Sequence, residues 1–257
     1  MKNAAPEESG LAYLDPEFLA SDGARPLRII AEYLNPLRRL RLQRIRDTIV
    51  FFGSARLTEK GPLGRFYADA RELARLITAW SRTLPSNAHR FVICSGGGGG
   101  IMEAANRGAR DAGGRTIGLN ISLPHEQEAN AFVTPELLFK FRYFFMRKLW
   151  FAHLARAMVV FPGGFGTLDE LMEVLTLAQT RKLARRVPVI LYGSAYWREI
   201  INFDALVRHG MISGEDLKLF AFADDPGSAL KLLQTAMELD AEDKTPAFAL
   251  SRCRESP

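Results

Sequence analysis

Cysteine is scarce in this sequence, and long hydrophobic runs are missing. The 257 residues include 2 cysteines, Cys94 in an apolar stretch and Cys253 near the carboxyl terminus. A disulfide framework is therefore not expected, and a reducing cytoplasm fits. No apolar run reaches the roughly 18 residues that a membrane span requires, and the first residues hold acids and prolines where a signal peptide has an apolar core. We expect a cytoplasmic protein with no membrane partner.

Several catalytic and metal-binding patterns are missing as well. The four histidines, His89, His125, His153 and His209, lie far apart and lack the spacing of metal ligands. No Gly-x-Ser-x-Gly elbow occurs, which disfavours a serine hydrolase. No glycine-rich loop ends in Gly-Lys-Ser/Thr, so a Walker loop is excluded.

The composition indicates one α/β domain. Hydrophobic residues make up 47% of the chain, which is enough for one sizeable core. The net charge of +5 suits an anionic substrate, but it is weak evidence for nucleic acid. We expect an N-terminal arm at 1–46, the α/β domain at 47–240 and a flexible tail at 241–257. Hydrophobic periodicity predicts strands at 48–52, 91–94, 116–121, 157–160, 187–192 and 219–222, and helices at 63–82, 101–109, 141–156, 171–178, 196–209 and 226–239.

The arm is basic between Arg25 and Asp47, where arginines alternate with apolar residues at helical spacing. Pro36 predicts a division into two short helices. A solvated arginine face on docked helices is the favoured interpretation. A nucleic-acid patch is the weaker one, because interleaved exposed aromatics are missing.

A strand-to-helix turn at residues 161–170 is the most informative stretch. Gly163, Gly164 and Gly166 let a ligand approach the main chain, and the following helix start favours an anion such as phosphate. Thr167 can cap that helix or offer its hydroxyl to the phosphate. Glu170 has capping-box spacing from Thr167, or it lies on the first helical turn beside the anion and does chemistry there.

Two further turns follow predicted strands. Gly53 and Ser54 come after the first strand, where ligands collect in α/β sheets or where an ordinary loop turns. Ser95 and the glycines at 96–100 come after the second strand and lead into a helix that includes Met102. The next strand ends without the acidic residue of a dinucleotide fingerprint, so we predict a phosphate or sugar site and not an NAD site.

The stretch 141–156 is apolar on nearly all sides, which predicts a mostly buried helix. Arg147 and Lys148 within it either snorkel at a helix edge or face the glycine turns and meet an anionic substrate.

Together these motifs resemble the LONELY GUY family of cytokinin-activating phosphoribohydrolases, proteins often mislabelled "lysine decarboxylase". Residues 162–170 resemble the family's PGGxGTxxE signature, 146–148 its Arg-Lys element, 95–102 its glycine-rich turn and 53–55 its first-strand turn. The decarboxylase label is rejected because the sequence has no His-Lys pair of the kind expected to anchor pyridoxal phosphate.

The resemblance implies a Rossmann-like, doubly wound parallel sheet with helices on both faces, and a homodimer or higher oligomer with its site near the interface. It implies hydrolysis of the N-glycosidic bond of a purine nucleoside 5′-monophosphate, without metal or redox cofactor. Arg147 and Glu170 match the catalytic pair. The remaining implied substrate contacts are Gly53, Ser54, Gly97, Gly98, Gly99, Met102, Glu126, Lys148, Gly163, Gly164, Gly166, Thr167 and Thr176.

The chain departs from the plant pattern at Ser95 and Glu103 and in its N-terminal extension. These features resemble the longer bacterial branch, which makes AMP as good a substrate prediction as a cytokinin nucleotide. The alternative function is a non-catalytic protein that holds a nucleotide or phosphate ligand in the same pocket. Retention of Arg147 and Glu170 favours the enzyme.

Overall fold

The computed structural model describes residues 10–86, 88–123, 128–183 and 186–242. Its centre is one sheet of seven parallel strands in the order β4-β3-β2-β1-β5-β6-β7. This confirms the prediction of a doubly wound parallel sheet. The strands are β1 Thr48–Phe52, β2 Val92–Ser95, β3 Thr116–Ile121, β4 Leu138–Phe141, β5 Ala155–Val160, β6 Val189–Tyr192 and β7 Phe220–Ala223.

Helices cover both faces of the sheet, and each face has its own apolar core. In β1 the side chains alternate between the two cores: Ile49 and Phe51 pack in one core, and Val50 and Phe52 pack in the other. Burial on both faces explains why the strands read as continuous apolar runs. The helices are α1 Pro16–Ala20, α2 Arg25–Leu42, α3 Gly64–Thr83, α4 Ile101–Asp111, α5 Phe144–Leu154, α6 Phe165–Gln179, α7 Ser194–Ile200, α8 Phe203–Arg208 and α9 Pro226–Glu242.

The strand order reverses between β1 and β5. The chain builds β2, β3 and β4 on one side of β1, then returns to place β5, β6 and β7 on the other. The turns after β1 and β5 are joined there by the Ser54 amide, which donates to the Pro162 carbonyl at 3.0 Å. Such a reversal opens a crevice at the carboxyl ends of the strands, where open α/β sheets bind ligands.

The predicted division of the basic arm at Pro36 is wrong, because α2 runs unbroken through this proline. Proline lacks the N–H that would satisfy the carbonyl four residues earlier, that of Glu32. In the structure the Trp150 indole N–H donates to the Glu32 carbonyl at 3.0 Å. A donor from α5 thus replaces the missing backbone hydrogen bond and attaches the arm to the domain.

The predicted helix at 141–156 is too long at both ends. Phe141 ends β4, a strand that the periodicity did not reveal, and Ala155 begins β5. The expectation that this helix is mostly buried is also wrong, since Phe144, Phe145 and Leu149 are 53%, 49% and 40% exposed. The apolar surface of this helix therefore includes an outward face that the described chain does not cover.

Two other stretches differ from expectation. The helix predicted at 196–209 is two helices, α7 and α8, because Asn202 caps a new helix start by accepting from the Ala205 amide. The described part of the expected loose arm before residue 25 contains short helical turns and α1, which Asp15 caps. None of the helices in the described ranges is both long and apolar enough to cross a membrane.

Candidate active site

A cavity of about 1000 Å³ opens at the carboxyl ends of β1 and β5. This is the crevice created by the reversal of strand order, and it lies within the size range of ligand pockets. The turn after β1, the turn after β5 and one face of α5 form its walls. The predicted site residues that line it are Gly53, Ser54, Met102, Arg147, Gly163, Gly164, Gly166, Thr167 and Glu170.

The amino end of α6 faces this cavity. Gly164 is the N-cap residue, and no side chain caps the helix. A Cβ at Gly164 or Gly166 would meet nothing within 4 Å, so these positions leave the main chain open to a ligand. The exposed amides of a helix start, together with its dipole, favour an anion there.

Thr167 and Glu170 do not form the capping box that their spacing allowed. Thr167 is the third residue of α6, so it lies inside the helix and not at its cap. Gly163 makes room for it, because a Cβ there would collide with the Thr167 side chain. Glu170 is the sixth residue of α6 and lies on the second turn, not the first. Its carboxylate faces the cavity, one turn below the anion-favouring helix start.

Glu170 is buried, with 8% of its surface exposed. Burial raises the pKa of its carboxyl to about 7, although Lys148 and Arg147 act in the opposite direction. A carboxyl group of this kind exists in both protonation states near neutral pH, which is the property of a general acid or base.

Arg147 lies against the glycine turn that follows β2. Its Nε donates to the Leu119 carbonyl at 2.8 Å, and its guanidinium carbon lies 5.1 Å from the Phe151 ring centroid. A Cβ at Gly96 would come within 2.7 Å of Nη2, so this glycine is what admits the guanidinium. Burial lowers the pKa of Arg147, and Glu170 opposes this shift. The group stays cationic at neutral pH, held in a fixed orientation with Nη2 toward the cavity wall.

Lys148 forms ion pairs with two carboxylates other than that of Glu170. Its Nζ lies 2.7 Å from Asp169 and 2.6 Å from Glu173. It does not line the cavity, so within one chain it acts on Glu170 through its charge rather than on a bound ligand. The charges of Lys148 and Arg147 together keep a fraction of the Glu170 side chains ionised despite their burial.

The glycine run is partly structural. Gly97 and Gly98 are buried behind Gly96 and do not line the cavity, and neither does Gly99. Gly97 has φ +71° and Gly100 has φ +63°, which explains glycine at those two positions.

A buried polar network holds this turn in place. The Ser95 hydroxyl donates to Asn106 Oδ1 at 2.8 Å and accepts from the Gly97 amide at 3.1 Å. Asn130 Nδ2 donates to the Gly98 carbonyl at 2.9 Å. Ser95, where the plant pattern has glycine, is therefore a support for the turn.

Thr176 is a further predicted contact that does not line the cavity. Thr176 lies on an exposed part of α6, and its hydroxyl donates to the Met172 carbonyl of its own helix at 2.7 Å. Glu126 lies outside the described residues. Over those residues, no group of three or more His, Cys, Asp or Glu side chains could hold a metal ion.

Sequence reasoning missed part of the cavity wall. Tyr196 lines it from α7, and its hydroxyl donates to the Gly163 carbonyl at 2.7 Å, which fixes the turn after β5. Its position in the first turn of α7, the helix that follows β6, was the available signal, since that strand also ends at the ligand edge. Other lining residues that were missed are Arg56, Leu57, Thr58, Leu63, Phe144, Phe165 and Ile200.

The chain is similar in sequence to known proteins. The chain is 28% identical over 194 residues to the probable cytokinin riboside 5′-monophosphate phosphoribohydrolase LOG4 of Oryza sativa subsp. japonica, covering 75% of this chain and 78% of the relative. It is 28% identical over 149 residues to the cytokinin riboside 5′-monophosphate phosphoribohydrolase LOG3 of Arabidopsis thaliana, covering 56% and 66%.

A solved structure has the same fold. The X-ray structure of TM1055, a structural genomics target, matches with a TM-score of 0.53 at 21% identity, covering 74% of this chain and 99% of the other. A family model described as "Possible lysine decarboxylase" matches residues 102–233, just over half of the chain. The match includes both α5 and α6, and the chain belongs to this family, the LONELY GUY family.

Proposed function

We propose that this protein hydrolyses the N-glycosidic bond of a purine nucleoside 5′-monophosphate, AMP or a cytokinin nucleotide, to free base and ribose 5-phosphate. One observation carries the proposal. A buried carboxyl group, Glu170, lies in a cavity one helical turn from an uncapped helix start that favours an anion. A nucleoside monophosphate has an anion and a glycosidic bond at a comparable separation.

The phosphate would bind at the amino end of α6. The open main chain at Gly164 and Gly166 and the Thr167 hydroxyl supply donors there. Tyr196 holds the preceding turn in shape from α7. Binding the phosphate in this way would fix the sugar ring relative to Glu170, and such orientation lowers the barrier to reaction.

Cleavage of the bond between sugar and base builds positive charge on the sugar, an oxocarbenium-like state. The Glu170 carboxylate would stabilise that charge or orient the attacking water. Arg147, held cationic by its position, would bind substrate oxygens or stabilise charge on the departing base. The names of the two relatives describe the same reaction type on cytokinin riboside 5′-monophosphates.

The test is incubation of purified protein with AMP and, separately, isopentenyladenosine monophosphate, with release of base followed by chromatography. We expect release from at least one nucleotide and a loss of at least about 100-fold in Glu170→Gln, a magnitude typical of removing a catalytic acid or base. Glu215→Gln is the matched control, because Glu215 is 79% exposed and pairs only with Lys218 among the described residues.

Both nucleotides can also be titrated by calorimetry. Binding without release from either would overturn the enzyme and favour the alternative, a binding protein that uses the same pocket. Release that survives Glu170→Gln would overturn the assigned role of Glu170.

We further propose that the enzyme is a cytoplasmic homodimer or higher homo-oligomer. The support is the exposed apolar face of α5, formed by Phe144, Phe145 and Leu149, on the same helix as Arg147. Cys94 is a buried free thiol, which suits a reducing compartment.

A further inference from the structure

A second, smaller cleft lies at the opposite end of the sheet. It has a volume of about 240 Å³ and lies beside the amino ends of β2 and β3. The turn before β2, the end of α3 and the turn before β3 enclose it. The candidate active site lies at the carboxyl ends of the strands, so the two are separated by the length of the sheet.

The wall of this cleft is strongly basic. Arg82, His89, Arg90 and Arg115 line it, and none of the described lining residues is Asp or Glu. Burial lowers the pKa of His89, and the charges of Arg115 and then Arg44 lower it further. The smaller, electrostatic part of this shift agrees with the positive charge of the arginines around His89.

The arginines are held in place by contacts outside the cleft. Arg82 Nη1 donates to the Ala112 carbonyl at 2.5 Å, and Arg115 Nη2 donates to Gln43 Oε1 at 2.5 Å. These contacts fix the two guanidinium groups, so less side-chain entropy is lost when they bind a ligand.

Arg90 is restrained in a different way. Its guanidinium carbon lies 4.5 Å from the Phe91 ring centroid, and its Nε lies 3.5 Å from Asp47 Oδ2. Its Nε is buried without a hydrogen-bond partner in the described structure. The other oxygen of Asp47, Oδ1, accepts a hydrogen bond from the Phe91 amide at 2.7 Å. Asp47 is not part of the cleft wall, so Arg82, Arg90 and Arg115 give that wall a net positive charge.

We propose that this cleft is a second anion site, which binds a small phosphate-type dianion, either free phosphate or the phosphate of a small phosphomonoester. Its volume admits a phosphate group with a short organic substituent and excludes a whole nucleotide from full burial. Guanidinium groups are the side chains best matched to phosphate oxygens. The site is independent of the proposed glycosidase activity, because it shares no residue with the first cavity.

The test is a titration of ¹⁵N-labelled protein with inorganic phosphate and, separately, glycerol 3-phosphate, at constant ionic strength against chloride. Amide resonances of 88–92 and 114–115 report this cleft, and those of 163–167 report the first cavity. We expect saturable shifts at 88–92 and 114–115, with an affinity about tenfold weaker in Arg115→Gln, as for loss of one charged hydrogen bond.

Arg208→Gln is the matched control, with the same loss of charge at an exposed position on α8. Arg82→Gln, at an exposed residue, gives a second variant of the cleft if Arg115→Gln does not fold. Comparing the two ligands separates free phosphate from a phosphomonoester as the preferred anion. The proposal is overturned if 88–92 show no saturable shift, or if the cleft variants bind as tightly as Arg208→Gln.

Discussion

At the scale of single residues, Glu170 lies in a buried environment that favours the neutral form of its carboxyl group. Burial raises its pKa to about 7, from an ordinary value of 4.5. Between these two pH values the folded chain binds more protons than the unfolded chain, so this group makes the fold less stable as pH rises. The loss is complete above pH 7, where it amounts to about 3 kcal/mol.

Replacing this group should therefore stabilise the protein. We expect Glu170→Gln to raise the free energy of unfolding at pH 8 by up to about 3 kcal/mol, with the gain falling to about 1 kcal/mol or less at pH 5. Urea unfolding of both proteins at the two pH values measures this. A variant less stable than the parent at pH 8 would contradict the burial argument.

The same group predicts how activity depends on pH. If the carboxylate is the active form, the rate of base release rises with pH through about 7 and levels off above it. A rate that falls through this range would instead assign Glu170 as an acid. The residual activity of Glu170→Gln is the reference, because it should show no inflection near 7.

At the scale of elements, α2 and α5 are joined by the hydrogen bond from Trp150 to the Glu32 carbonyl. We expect Trp150→Phe to lower the free energy of unfolding by about 1–3 kcal/mol, since it leaves that carbonyl without its donor. In a Pro36→Ala background the new backbone N–H supplies a donor, so the same substitution should cost less. A double-mutant cycle measures the difference, and strict additivity would show that the two donors do not substitute for each other.

The elements also show what the sequence could and could not predict. The strand Thr48–Phe52 and the strand Thr116–Ile121 were predicted with the bounds observed, because buried parallel strands are short apolar runs between turns. Strand β4 was missed because only Arg142 and Tyr143 separate it from an apolar helix, so the sequence shows no clear turn between them. The predicted break at Pro36 was wrong because the effect of this proline depends on Trp150, a residue more than a hundred positions away in the chain.

The candidate site was predictable where a residue and its turn are adjacent in sequence. Gly164, Gly166 and Glu170 belong to one such segment, and the structure brings them to one cavity with Arg147. Tyr196 was not predictable in its role, because its partner, the Gly163 carbonyl, is a backbone atom with no sequence signature. The burial of Gly97 and Gly98 likewise depends on Asn130 and its network.

At the scale of the whole molecule, the exposed face of α5 predicts association. We expect light scattering after gel filtration to give a mass of at least twice the 28.7 kDa of one chain. Leu149→Glu should reduce that mass to the single chain, because a charge on an apolar contact is costly to bury.

Met211→Glu is the control, at another exposed apolar residue that lies outside α5. Phe144 lines the cavity and belongs to the same face, so dissociation should also reduce base release. An unchanged mass for Leu149→Glu would place the interface elsewhere.

The pairing of β1 with β5 has a consequence for the order of events during synthesis. Phe52 lies beside Val160, and the two halves of the crevice meet through this pairing of distant segments and through the hydrogen bond from Ser54 to Pro162. A chain still growing at the ribosome has made its first strand and both early glycine turns long before the segment that completes the cavity exists. The cavity is thus completed late in folding, and any fragment that ends before Tyr196 should be unable to hold a ligand there.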